Sequence, residues 1–237
     1  MTTKKAIVLT SGGIDSTTCL AIAVDRLGAE NVISARVTYG QKHSKELDSA
    51  KKLAEYYGIP QYTLDLSNIL QYSNCPLMAN STKELRHESY AEQIAKDGEG
   101  MVESYVPFRN GLMLSSVAAL AMSLFPEGHE VEIYLGAHAD DAAGSAYADC
   151  SPEFSEAMAS AINIGTYNKV KVVAPLINMN KSQVVETGLK LNVPYGLTWS
   201  CYEGREKACG TCGTCVDRVK AFKDNGTTDP IEYEQGE

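Results

Sequence analysis

Lys5-Ala6-Ile7-Val8-Leu9-Thr10 runs directly into Ser11-Gly12-Gly13-Ile14-Asp15-Ser16-Thr17-Thr18. Residues 5–10 read as a strand, and residues 15–27 as a helix with Leu20, Ala23, Val24 and Leu27 at helical spacing. The junction holds two adjacent glycines and the hydroxyl side chains of Ser11, Ser16, Thr17 and Thr18. Glycine lets a backbone turn sharply and approach a ligand closely. The N–H groups that open a helix have no intrahelical acceptor, and the helix dipole adds positive potential there. Such a junction is a cradle for an anion, most often phosphate. Thr10, Ser11, Gly12, Gly13, Ile14, Asp15, Ser16, Thr17 and Thr18 are therefore the candidate nucleotide-binding residues.

The loop follows neither G-x-x-x-x-G-K-[ST] nor G-x-G-x-x-G. It carries an aspartate where the first of these has a lysine. A carboxylate inside a phosphate cradle points to Mg²⁺ lying between the two.

Strand and helix signals alternate outward from this loop. Strands are expected at 32–38, 61–66, 130–135 and 169–174, and helices at 42–57, 111–125, 152–163 and 181–191. This is the pattern of an α/β fold: a Rossmann-like parallel sheet with helices on both faces. Ligands of such sheets bind beyond the carboxyl ends of the strands. The loops after Thr10, Thr38, Leu66, Leu135 and Ala174 should converge on one site. Residues 67–108 show no clear periodicity, and a stretch that long is a candidate lid. The basic run Lys42-His43-Ser44-Lys45, diluted by Glu46 and Asp48, reads as a solvated helix face.

The 237 residues suit one sizeable domain with a small appendage, residues 1–195 and 196–237 respectively. A net charge of −9 argues against a nucleic-acid substrate, because proteins that grip phosphate backbones carry basic patches. No apolar run approaches the roughly 20 residues of a membrane helix. The N-terminus shows no export signal, so a cytoplasmic protein that does not engage membranes is expected.

Four of the seven cysteines form Cys201-x7-Cys209-x2-Cys212-x2-Cys215. In a chain expected to stay in a reducing compartment, this spacing signals a metal. Four thiolates suit a closed, structural zinc site, with an iron–sulfur cluster as the rival.

Two further segments are less specific. Arg109 precedes an apolar helix that Asn110 can cap, and it is either a solvated side chain or an anion-binding fork. Asn180 and Gln183 have capping-box spacing, which puts Lys181 in a first helical turn where a cation opposes the dipole. That placement makes sense if an anion sits at the same helix end, so Lys181 is expected to reach ATP phosphates. His138 lies in a loop after a strand, without a second histidine at ligand spacing. Cys150 has no evident activating partner and is not expected to be a nucleophile.

The Ser11–Ser16 string resembles the S-G-G-x-D-S signature of the PP-loop ATP pyrophosphatases, which have an adenine nucleotide α-hydrolase-like fold. The resemblance becomes more specific with Tyr39-Gly40-Gln41, Val106-Pro107-Phe108-Arg109-Asn110, Gly136 and Asp141. It continues through Ala146-Tyr147-Ala148-Asp149-Cys150, Pro175-Leu176, Lys181, Thr198-Trp199-Ser200-Cys201-Tyr202 and the remaining cysteines. Together, over about residues 4–222, these are similar to the 7-cyano-7-deazaguanine synthases, nitrile-forming enzymes of the queuosine and archaeosine pathways that serve tRNA modification.

The resemblance implies a ligase forming C–N bonds. Its partners are ATP, 7-carboxy-7-deazaguanine and ammonia, its cofactors Mg²⁺ with ATP and one structural zinc per chain, and its assembly a homodimer. It implies an adenylated carboxylate, an amide, and a second activation that yields the nitrile. Asp15, Lys181, Arg109 and Asp141 are the expected catalytic set. The alternative is another PP-loop adenylating enzyme, a tRNA thiolase or an amide-forming ligase. Two departures stand out: Ala148 where the family usually has proline, and Ser151 where an arginine often follows the cysteine. If that arginine holds the substrate carboxylate, Lys169 or Arg109 must replace it.

Overall fold

A computed structural model of the chain describes residues 3–88, 90–98, 100–125 and 129–234. Glu99 in the Gly98–Gly100 stretch and the extreme ends of the two expected segments lie outside them. The strands are β1 (Thr3–Leu9), β2 (Val32–Thr38), β3 (Gln61–Asp65), β4 (His129–Tyr134) and β5 (Val170–Val173). They form one parallel sheet in the order β3-β2-β1-β4-β5. The helices are α1 (Ile14–Leu27), α2 (Lys45–Tyr57), α3 (Ser67–Leu70), α4 (Tyr90–Asp97), α5 (Arg109–Leu124), α6 (Ala139–Ala142), α7 (Pro152–Gly165), α8 (Lys181–Lys190) and α9 (Gly213–Asp224).

Strand β1 shows why helices cover both faces. Successive side chains on a strand point to opposite sides. Ile7 and Leu9 pack with Ala35, Val37, Ile133 and, from α5, Leu114 and Val117. Ala6 and Val8 pack with Ile14 and Leu20 of α1, Leu53 of α2, Val184 of α8 and Phe222 of α9. The central strand is apolar on both sides because it is buried on both sides. The chain order reverses between β1 and β4, which opens the crevice expected at a topological switch point.

The expected elements are present, with shifted ends. Helix α2 begins at Lys45, not at residue 42. Residues 67–108 hold α3 and α4, and Cys75, Leu77, Met78, Val102 and Val106 anchor the stretch to the core. Helix α5 begins at Arg109, and Asn110 is not its N-cap. The Asn110 N–H instead donates to Asp149 Oδ2 at 3.0 Å, so a carboxylate 39 residues downstream caps the helix. The capping box of α8 forms as its sequence suggests.

The tail folds onto the α/β layer. Arg218 of α9 is fully buried and donates to both carboxylate oxygens of Asp229, at 2.6 and 2.9 Å, and to Thr198, Ser200 and the Tyr195 carbonyl. The Phe222 ring meets Tyr195 edge-on at 5.3 Å.

Candidate active site

The phosphate loop is built by two close contacts. Gly12 has φ +93°, and a Cβ there would lie 2.3 Å from the Glu46 carbonyl oxygen. Only glycine lets the first turn of α2 press against the loop. Gly136, after β4, meets the first turn of α1 less tightly, since a Cβ would sit 3.1 Å from Asp15 C and Ser16 N. Ser11 Oγ lies 3.0 Å from Ser16 Oγ and accepts from the Gly13 N–H at 3.3 Å. These bonds fix the mouth of the loop.

The loop opens into a cavity of about 240 Å³. Thr10, Ser11, Gly13, Asp15 and Ser16 line it. Other residues of the cradle serve the frame. Ile14 is buried in the core, Thr17 Oγ1 donates to the Gly13 carbonyl, and Thr18 pairs with Tyr195 OH at 2.8 Å. Sequence cannot separate these roles, because all nine residues share one turn and the fold alone aims their side chains.

Lys181 reaches the loop from α8. Its Nζ donates to Asp15 Oδ1 and Oδ2 at 2.8 and 2.7 Å and lies 3.1 Å from His138 Nε2. Its backbone N–H donates to Asp140 Oδ2 at 2.7 Å, so Asp140 supplies the anion at the α8 N-terminus. Burial disfavours the Asp15 charge, but Lys181 and then His138 outweigh it and hold the carboxyl below its usual range. Burial likewise opposes the Lys181 charge, and Asp15 and Asp141 overcome it. Asp141 lies 3.3 Å from His138 Nε2, and burial raises its carboxyl despite His138 and Lys181. His138 is thus the hinge of this cluster, and reading it in isolation missed that. Its signal was the His138-Ala139-Asp140-Asp141 string itself, which puts three polar groups within one turn.

Arg109 forms the opposite wall. Its Nη1 donates to Tyr39 OH at 3.1 Å, and the guanidinium lies 5.1 Å from the Tyr39 ring centroid. It is a built feature of the cavity and not a solvated surface residue. The preceding Phe108 takes a left-handed conformation, φ 53°, which stores strain next to Arg109. Asn110 Nδ2 donates to the Asp149 carbonyl and to Cys150 Sγ. Burial pushes the Cys150 thiol up, which leaves it a poor nucleophile.

The departure at Ser151 resolves as follows. Ser151 caps α7, its Oγ accepting from the Phe154 N–H at 3.1 Å. Lys169 precedes β5, at the end of the sheet away from the cavity. Of the two proposed replacements for the arginine, only Arg109 lines the cavity.

The α2 start is not a purely solvated face. Lys45 Nζ lies 4.3 Å from the Trp199 ring centroid, and Glu46 lines the cavity. Their signal was hidden because helical spacing cannot distinguish a cavity from solvent.

The four cysteines Cys201, Cys209, Cys212 and Cys215 are buried with their sulfurs within 4.8 Å of one another. Cys201 Sγ accepts from the Cys209 N–H, and Cys209 Sγ from the Cys212 N–H, both at 3.3 Å. A tetrahedral site with ~2.3 Å metal–sulfur bonds spaces its sulfurs about 3.8 Å apart, and Cys209 Sγ and Cys215 Sγ are 4.0 Å apart. The set can bind a metal, and its tightness suits one ion better than a multi-atom cluster. The ligand loop touches the phosphate loop: the Trp199 N–H donates to the Gly12 carbonyl at 2.8 Å.

The fold and site define a class, the ATP-binding α/β enzymes with a PP-loop and, here, a C-terminal four-cysteine metal module. The profile of the queuosine biosynthesis protein QueC family matches residues 5–226, and the chain belongs to that family. It is 39% identical to the 7-cyano-7-deazaguanine synthase of Marinomonas sp. (strain MWYL1), over 98% of this chain and 99% of that one. It is 41% identical to the 7-cyano-7-deazaguanine synthase of Thermoplasma acidophilum, over 99% and 94% respectively. The solved NMN synthetase of Francisella tularensis overlaps 96% of this chain and 78% of its own at 16% identity, with a TM-score of 0.49.

Proposed function

We propose that this chain converts 7-carboxy-7-deazaguanine and ammonia to 7-cyano-7-deazaguanine at the expense of ATP. The observation that carries the reading is the convergence of the Ser11–Ser16 loop, Lys181 and Arg109 on one cavity, in a chain similar along its length to synthases of that name.

A carboxylate is a poor electrophile, and adenylation gives it a leaving group. The loop N–H groups with Ser11 and Ser16 hold the pyrophosphate, and Lys181 neutralises charge as it departs. Arg109 holds the substrate carboxylate with a planar fork. Asp15 and Asp141 offer the oxygen ligands that Mg²⁺ takes, and the ion would supply further charge neutralisation on the phosphates. His138 keeps Lys181 and both carboxylates in register. After amide formation, a second activation of the amide oxygen lets nitrogen complete the nitrile. Water must be kept from the adenylate, and residues 67–108 serve as lid: Leu77 and Ser104 face the cavity, and His87 Nδ1 lies 2.9 Å from Thr211 Oγ1 of the metal module.

Zinc is the metal proposed for the four thiolates, where it would staple the tail 196–237 to the nucleotide domain 1–195. Among the described residues no helix is long and apolar enough to cross a membrane. None of the seven cysteines is in a disulfide, and a cytoplasmic location is proposed because thiolate metal ligands need a reducing compartment. A homodimer is the proposed assembly.

Mass spectrometry of products from ATP, ammonium and 7-carboxy-7-deazaguanine tests the reading. The nitrile and an amide intermediate are expected. Turnover only with tRNA and a sulfur donor would instead identify a thiolase, which the −9 charge disfavours.

A further inference from the structure

We infer that Glu46 receives ammonium in the cavity and takes its proton, so that nitrogen attacks the activated carboxyl as neutral ammonia. The inference rests on the reaction proposed above and assigns a step that reaction leaves open. Ammonium has no lone pair, and its nitrogen becomes a nucleophile only after losing a proton.

The cavity carboxylates divide by what already occupies them. Lys181 holds Asp15, His138 lies against Asp141, and the Lys181 backbone N–H binds Asp140. Asp217 on α9 carries no hydrogen bond or ion pair among the described residues, but its cationic neighbours are Lys181 and His138 and not Arg109. Glu46 stands on the other wall, and among the described residues no hydrogen bond or ion pair within 4.0 Å engages its carboxylate. The charged and titratable groups that face it are Arg109 from α5 and Tyr39 from the end of β2, with Tyr202 of the tail beyond Arg109. None is a rival base. Arg109 is permanently charged, and burial pushes the Tyr39 phenol up to about 12. The cation that would hold the substrate carboxylate therefore has one carboxylate beside it with open acceptor oxygens.

Position and acidity both suit the task. The Glu46 backbone packs against Gly12, which holds its side chain in fixed relation to the phosphate loop. Burial pushes the Glu46 carboxyl up to about 7, with Arg109 opposing. A base works best when its pKa lies near the working pH. The proton passes from ammonium to the Glu46 carboxylate, leaving ammonia and a carboxylic acid. The freed lone pair forms the C–N bond, AMP leaves with the electrons of the C–O bond, and the adduct nitrogen sheds its surplus proton to water. Glu46 then returns its own proton to water.

The test is Glu46→Gln in the full-length, zinc-loaded protein. Adenylation, read as pyrophosphate exchange into ATP with the deazaguanine acid, is expected to stay within a few-fold of wild type. Ammonium-dependent product formation at pH 7 is expected to fall at least about a hundredfold. Hydroxylamine is neutral at that pH and should trap the adenylate as hydroxamate at near wild-type rate. The wild-type ammonium rate rises through about pH 7 as Glu46 ionises and then flattens. The variant's should keep climbing about tenfold per pH unit beyond pH 7, as free ammonia does while ammonium predominates. Glu46→Asp keeps a carboxylate and should restore the flattening. An unchanged ammonium rate and profile in Glu46→Gln overturns the inference, and so does an equal loss of exchange, hydroxamate and ammonium reactions. If wild type shows no exchange with the deazaguanine acid, the reaction reading itself falls, and with it this step.

Discussion

Lys181→Met in the nucleotide-free protein isolates the Lys181–Asp15 pair. The lysine and aspartate side chains are only 19% and 24% exposed, so solvent replaces little of the lost interaction. Breaking a fully buried pair costs about 3–5 kcal/mol. Cavity access and His138 Nε2, still 3.6 Å from Asp15 Oδ1, reduce this to about 2 kcal/mol. For a chain of this size the melting temperature should drop by roughly 4–8 °C at pH 7.

The sign of the pH dependence follows from Asp15. Its folded carboxyl lies below the ordinary value, so its stabilisation is present above the unfolded carboxyl range and is lost as pH falls through the folded one. The gap between wild type and variant should therefore narrow in acid, where Asp15 protonates and no longer needs a partner. Asp15→Asn combined with Lys181→Met should melt above Lys181→Met alone, because it removes the stranded charge. Thermal unfolding from pH 3 to 8 measures all of this. A gap independent of pH, together with strictly additive single and double variants, would refute the coupling.

Chelation of the metal, or Cys212→Ser, should loosen the tail. Trp199 is the chain's single tryptophan and donates from Nε1 to the Cys201 carbonyl at 2.8 Å, so its fluorescence should shift to the red as metal analysis reads loss of one ion. Nucleotide affinity should weaken with it, because the Trp199 N–H holds the Gly12 carbonyl. Gly12→Ala combines φ +93° with a backbone contact of 2.3 Å and should cost about 1–3 kcal/mol while abolishing pyrophosphate exchange. Cys150→Ala should retain turnover within about tenfold, and the wild-type thiol should resist alkylation at pH 7, since burial keeps it protonated. Loss of all activity in Cys150→Ala would contradict the assignment of chemistry to the phosphate loop and Arg109.

The sheet was largely legible, because period-two and period-3.6 patterns report which faces are apolar. Its element ends were less so. Asn110 has the chemistry of a cap, yet it lies inside α5, its side chain donates to Asp149 and Cys150, and its own N–H is satisfied by the Asp149 carboxylate through a tertiary contact. Arg109 and Lys181 could be nominated in sequence, but not placed on opposite walls of one cavity. Glu46 was illegible, since an acidic residue at a helix start looks the same whether it faces water or a buried site.

The sequence by itself determined the parallel α/β architecture, the glycine-rich turn between strand and helix, and a cysteine quartet able to hold a metal. Each depends on local spacing: a glycine pair between strand and helix, or thiols at tight intervals. Only the tertiary structure decided which cradle residues face the cavity, that His138 joins Asp15, Asp141 and Lys181, and that the cysteine loop braces Gly12. Those facts depend on packing between segments far apart along the chain, and no local pattern encodes the distance or direction between such segments.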